Sequence, residues 1–181
     1  LSFLLLLAQP QAGSAEALHG LAGPSPNAHF GYSMAWASDR DGDGMPDLLV
    51  GAPGAGFRAN DSGAVFLYSS KDGRTLLSVT NRVPGARMGT AVVDCGDLNG
   101  DGIGDLLVGL PGSGSYLKKQ GSVWLVDGKN ANTFWQINGT QSGEELGSAL
   151  AAPGDLNGDG FPDIVVGAPG FGGKAGTECG A

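Results

Sequence analysis

Asp39-Arg40-Asp41-Gly42-Asp43-Gly44-Met45-Pro46-Asp47 recurs 58 residues later as Asp97-Leu98-Asn99-Gly100-Asp101-Gly102-Ile103-Gly104-Asp105. It recurs again, after a further 58, as Asp155-Leu156-Asn157-Gly158-Asp159-Gly160-Phe161-Pro162-Asp163. Oxygen-bearing side chains stand at loop positions 1, 3, 5 and 9, and glycines at 4 and 6. That alternation turns successive oxygens into one small volume, as a hard cation with six or more oxygen ligands requires. Carboxylates so close would otherwise repel one another. The pattern predicts three Ca²⁺ sites, each completed by the backbone carbonyl at position 7, from Met45, Ile103 or Phe161. These loops are not EF-hands: position 12 is Val50, Val108 or Val166, where an EF-hand has Glu. Three copies in register also argue against plain solvated Asp-Gly turns, which need no such repeated oxygen placement.

The period extends beyond the loops. Phe30-Gly31 recurs as Met88-Gly89 and Leu146-Gly147, and Gly51-Ala52-Pro53 as Gly109-Leu110-Pro111 and Gly167-Ala168-Pro169. Gly63 to Tyr68 recurs as Gly121 to Val126. Each unit reads as four strands, at about 31–38, 47–52, 63–69 and 75–80 in the first copy, with turns at Pro53-Gly54 and Lys71-Asp72-Gly73. The Asp47 to Ala52 run, apolar on both faces, predicts a strand buried on both sides. Four antiparallel strands per repeat make a propeller blade, so the fold is predicted all-β.

Subtracting one period from Leu76 and Val79 lands on Leu18 and Leu21, both apolar. An outer strand at 17–23 therefore precedes repeat one (30–81), repeat two (88–139) and a partial repeat three (146–181). That order predicts an incomplete ring, with the remaining blades missing from this chain. Residues 1–15 are predicted to be a truncated secretory signal: the apolar run Leu1 to Ala8 precedes small residues, and is too short to span a bilayer. The alternative is an N-terminal strand.

Charge excludes more than it identifies. The chain has 181 residues and a net charge of −8, and ten of its 18 acidic residues lie in the three loops. Three Ca²⁺ would bring −8 to −2. No basic stripe for nucleic acid and no membrane span stand out. His19 and His29 have no nucleophile or acid at a recognisable spacing, so no catalytic residue is predicted and the chain is not read as an enzyme. Cys95 and Cys179 could pair with each other, pair outside this chain, or sit as small buried hydrophobes. Trp36, Trp124 and Trp135 fall in strand patterns, which favours packing between blades over a ligand pocket. Asn60-Asp61-Ser62 and Asn138-Gly139-Thr140 fit the glycosylation sequon.

Phe30-Gly31 and Gly51-Ala52-Pro53, flanking an Asp-rich loop, resemble the FG-GAP repeat. The likeness runs from about residue 17 to 181, with apolar swaps at Met88, Leu146 and Leu110. Such repeats build the propeller of integrin α chains, and occur in glycosylphosphatidylinositol-specific phospholipase D and in bacterial surface proteins. The resemblance implies calcium between the first two strands of a blade and ligand binding on the opposite face. A secreted or cell-surface adhesion module is the first expectation. The alternatives are the accessory propeller of a larger secreted hydrolase and a carbohydrate-binding propeller. Residues 54–62 and 112–120, which differ most between repeats, are the candidate ligand loops; they contain Phe57, Arg58, Tyr116, Lys118 and Lys119.

Overall fold

Strands follow the repeat. The structure, a computed structural model, describes residues 4–11, 14–57, 59–114 and 119–172. Repeat one is a four-stranded antiparallel sheet of β3 (Ser33–Ala37), β4 (Asp47–Ala52), β5 (Ala64–Tyr68) and β6 (Thr75–Thr80), in that order. Repeat two is its copy, β7 (Val92–Gly96), β8 (Asp105–Leu110), β9 (Ser122–Val126) and β10 (Thr133–Asn138). Repeat three contributes β11 (Ala149–Gly154) and β12 (Asp163–Gly167). These are the blades of an all-β, unclosed propeller, with no helix among the described residues.

The sheets stack face to face, and the two-sided apolar strands show why. In β4, Leu49 turns towards blade two and joins Leu67, Leu77, Val79, Leu106 and Val108 in one cluster. Its neighbours Leu48 and Val50 turn the other way, into a cluster with Phe30, Phe66 and Tyr68. In β8 the same alternation sends Leu106 towards blade one, and Leu107 towards Leu150, Ile164 and Val166 of blade three. A strand sandwiched between sheets needs apolar side chains on both faces, and β4 and β8 are buried throughout.

The Gly-Ala-Pro glycines set how near the blades approach. Gly31 N–H donates to Gly51 O at 3.1 Å, and the pair recurs as Gly89 to Gly109 and Gly147 to Gly167. A Cβ on Gly51 would lie 2.1 Å from the Gly89 carbonyl oxygen, and one on Gly109 2.0 Å from that of Gly147. Only glycine permits that contact, so each pair ties its own blade and seats the next.

Before blade one, β2 (Ser14–Ala22) lies antiparallel to β1 (Leu4–Gln11). An open strand edge leaves N–H and C=O groups unpaired, and the neighbouring N-terminal run supplies partners. Leu21 packs against the Leu48 and Phe66 side of blade one. This is the place an outer strand of a preceding blade would take, as Val79 does against blade two.

Candidate metal centre

Each acidic loop joins the first two strands of its blade, and the three fold alike. The position 1 carboxylate collects backbone amides: Asp39 Oδ1 accepts from Gly42 N at 2.7 Å and Oδ2 from Gly44 N at 2.7 Å. Asp97 receives Gly100 and Gly102, and Asp155 receives Gly158 and Gly160, at 2.7–2.8 Å. Those amides, Gly102 and Gly160 foremost, hold the carboxyls of Asp97 and Asp155 below the ordinary range. Glycines 4 and 6 of each loop take positive φ, between 77° and 91°. That conformation strains side-chain-bearing residues and explains the glycines.

Side chains at positions 3, 5 and 9 hydrogen-bond within the same turn. Position 5 (Asp43, Asp101, Asp159) accepts from the position 7 amide of Met45, Ile103 or Phe161 at 2.9 Å. Position 3 (Asp41, Asn99, Asn157) accepts from the position 5 amide at 2.8–3.2 Å. Position 9 (Asp47, Asp105, Asp163) accepts from the position 2 amide at 2.7–2.9 Å. In loop one, carboxylate oxygens of Asp39, Asp41 and Asp43 lie within 4.8 Å of one another. Loops two and three carry Asn at position 3, so their oxygen sets hold one carboxylate fewer.

Burial separates position 9 from the rest. Asp47 and Asp105 are fully buried, and burial pushes both carboxyls up. Asp47 Oδ1 and Asp43 Oδ2 are buried with no hydrogen-bond partner. Orphaned carboxylate oxygens are costly unless a cation or proton satisfies them. An oxygen-only set of this kind suits a hard divalent ion.

Three charged residues around the site, Arg74, Arg40 and Asp94, were not singled out from sequence. Arg74 in the β5–β6 turn pairs with Asp41 at 2.8 Å, and that bond holds the Asp41 carboxyl low. Loop one thus has one carboxylate more than the others and one guanidinium to offset it. Arg40, at position 2 of loop one, reaches Asp94 of blade two at 2.8 Å and donates to the carbonyl of Gly104. The signal lay in comparing columns: position 2 is Arg40, Leu98 and Leu156, and position 8 is Pro46, Gly104 and Pro162.

Other expectations resolve unevenly. Trp124 packs on the core between blades one and two. Trp36 is 59% exposed and Trp135 44% exposed, so packing between blades does not cover them. Trp36 shares the exposed face of β3 with Met34, Tyr32 lies just before the strand, and Trp135 lines an apolar groove of about 390 Å³ against Pro162 and Ile164. Cys95 is buried beneath loop two, its thiol pushed up to about 12 by burial; Cys179 lies outside the described residues. Of the candidate ligand loops, Phe57 is exposed and rests on Phe66, while Arg58, Tyr116 and Lys118 lie outside the described residues. The loop stems are structural. Arg87 N donates to Asp61 O and Glu145 N to Lys119 O, stitching each loop to the next blade.

This frame of repeated acidic loops and glycine-seated blades defines a class. The FG-GAP repeat family matches residues 146–178, and the FG-GAP-like repeat family matches residues 39–108. The chain belongs to the FG-GAP repeat propellers, and integrin α chains are among its relatives. Integrin alpha-V of Gallus gallus is 35% identical over 155 residues, covering 82% of this chain and 14% of that protein. Integrin alpha-PS5 of Drosophila melanogaster is 32% identical, covering 84% and 16%, and integrin alpha-5 of Xenopus laevis is 31% identical, also covering 84% and 16%. The chain thus spans 14% to 16% of the length of these relatives.

Proposed function

We propose that the chain is a secreted or cell-surface calcium-binding propeller module for protein or ligand binding in adhesion, and not an enzyme. The observation that carries the calcium reading is the pair of buried carboxylate oxygens on Asp43 and Asp47 with no partner. The ligands would be Asp39, Asp41, Asp43, Asp47 and the Met45 carbonyl in loop one. Loop two would offer Asp97, Asn99, Asp101, Asp105 and the Ile103 carbonyl, and loop three Asp155, Asn157, Asp159, Asp163 and the Phe161 carbonyl. The ion's contribution is structural: it neutralises clustered carboxylates and fixes the turn into each second strand. Extracellular modules of this type bind at about 10⁻⁴–10⁻³ M, so a calcium-rich exterior suits them. The signal-like N-terminus and the kinship with integrin α chains support the same location.

The ligand face is the end opposite these loops. Strand β4 starts at Asp47 in the acidic loop and ends at Ala52, where the 54–62 connection begins; β8 relates the acidic end to 112–120 in the same way. A rigid sheet fixes one end with metal and leaves tips free to vary at the other. The test replaces 114–118 by Gly/Ser in the full-length protein, sparing the stem bonds, and measures the melt and binding to an integrin-type protein ligand. The reading expects a near-native melt with binding lost. Undiminished binding, there and after the matching change at 56–58, overturns the assignment of this face.

A further inference from the structure

Arg40 touches both of the first two acidic loops, at position 9 of loop one and at position 8, next to position 9, of loop two. Its backbone amide donates to Asp47 Oδ2 at 2.8 Å, the position 9 carboxylate of loop one. Its guanidinium crosses to blade two and donates to the carbonyl of Gly104, the residue directly before the position 9 carboxylate of loop two, Asp105. The same guanidinium is paired with Asp94 at 2.8 Å, and the Arg40 side chain is only 4% exposed. Asp94 is itself held: Oδ2 accepts from Ser38 N at 2.6 Å and Oδ1 from Gly96 N at 3.0 Å. A planar guanidinium fixed on two sides transmits displacement better than a flexible, hydrated ammonium.

The space was cleared for it. A Cβ on Gly104 would lie 2.8 Å from Arg40 Nη2, and one on Gly128 2.8 Å from Nη1. Loops one and three have proline where loop two has Gly104. At the next junction all three members change together: Leu98 replaces the arginine, Pro162 the glycine and Ala152 the aspartate, giving an apolar contact. The blade one–two junction is therefore a polar bolt where the blade two–three junction is a greasy one.

We propose that Arg40 is a positioning residue that couples the two loops, so that a cation in loop one raises the affinity of loop two. This rests on the calcium reading above. An ion in loop one fixes Asp47, hence Arg40, hence Gly104 and the approach of Asp105. Coupling of this kind is reciprocal, and loop one gains by the same factor when loop two fills.

Calcium alone is the probe, followed by titration calorimetry on the full-length protein with loop three disabled by Asp163→Ala. Loop two affinity is compared with loop one intact and with loop one disabled by Asp39→Ala. The comparison is repeated after the swap Arg40→Leu, Asp94→Ala, Gly104→Pro, which installs the second junction's residues. With Arg40 present, disabling loop one weakens loop two by about fivefold or more; in the swapped protein the effect falls within about twofold. Should the triple swap fail to fold, Arg40→Lys serves, since it keeps the charge beside Asp94 and cannot hold Gly104 and Asp94 in the same fork. An equal penalty in both backgrounds, or none with Arg40 present, overturns the coupling and leaves calcium binding standing. No calcium uptake by either loop overturns the calcium reading, and the coupling with it.

Discussion

Asp47 and Asp105 are carboxylates folded into places that disfavour their charge, and that sets how acid acts on this protein. Burial raises both above the ordinary 3.8, so without a cation the folded state holds their protons more tightly than the unfolded chain does. Their contribution to stability therefore falls as pH rises through the folded value, and returns as pH drops back towards 3.8. Asp97 and Asp155 act oppositely: held low by backbone amides, they stabilise above 3.8, and that is lost as pH falls below it. Chelated protein is thus predicted to melt higher as pH is lowered from neutral towards 3.8, then to lose stability below. With calcium bound the first rise vanishes, because the ion already satisfies the charge. Melts at a series of pH values, in EGTA and in calcium, check this; a flat chelated profile above pH 4 contradicts it. At neutral pH, Asp47→Asn, whose amide can point its NH2 to the side of the unpartnered Oδ1, is predicted to raise the melt of the chelated protein while reducing calcium uptake from three ions to two, read by calorimetry.

At the scale of the element, the glycine seam is as decisive as the apolar strands. Gly51→Ala and Gly109→Ala place a methyl against a backbone carbonyl that cannot swing aside. Each is predicted to destabilise by about 3 kcal/mol, the upper end of overpacking costs, measured by urea unfolding. A loss no greater than that of an exposed control with ordinary backbone, Gly56→Ala, would contradict the seam. Much of this was legible beforehand, because period and element coincide: Asp47 to Ala52 reads as a two-sided apolar run and is β4, with the same ends. The acidic loops were legible because their spacing is itself the geometry. Arg40 was not, because its role depends on a glycine 64 positions away on another blade, and a column of Arg, Leu, Leu looks like drift. For β1 the sequence leaves a targeting segment and an N-terminal strand both open, because its Leu-rich run has no strand-like alternation, and its pairing with β2 carries no sequence signal.

For the whole molecule, face-to-face stacking of blades leaves the outermost faces uncovered. Met34 and Trp36 on one face of β3, and Tyr32 just before it, are all at least 50% exposed, and Leu156 and Phe161 of loop three are more than 60% exposed. Contiguous apolar stripes and open strand edges favour association. The 181-residue chain by itself is predicted to self-associate on size exclusion, and Met34→Lys with Trp36→Lys to shift it towards monomer; a monomer from the outset contradicts this. Cation binding stabilises by mass action, about 1.4 kcal/mol per site at ten times Kd, so three filled loops form a large share of a marginal stability. The direct test is the calcium content of the full-length protein, by elemental analysis after dialysis against millimolar calcium, with melts before and after EGTA. Three ions per chain from these loops, lost one at a time with Asp47→Ala, Asp105→Ala and Asp163→Ala, and a melt lowered by EGTA, are the predicted result. Absence of calcium from these loops, with a melt indifferent to EGTA, would contradict it.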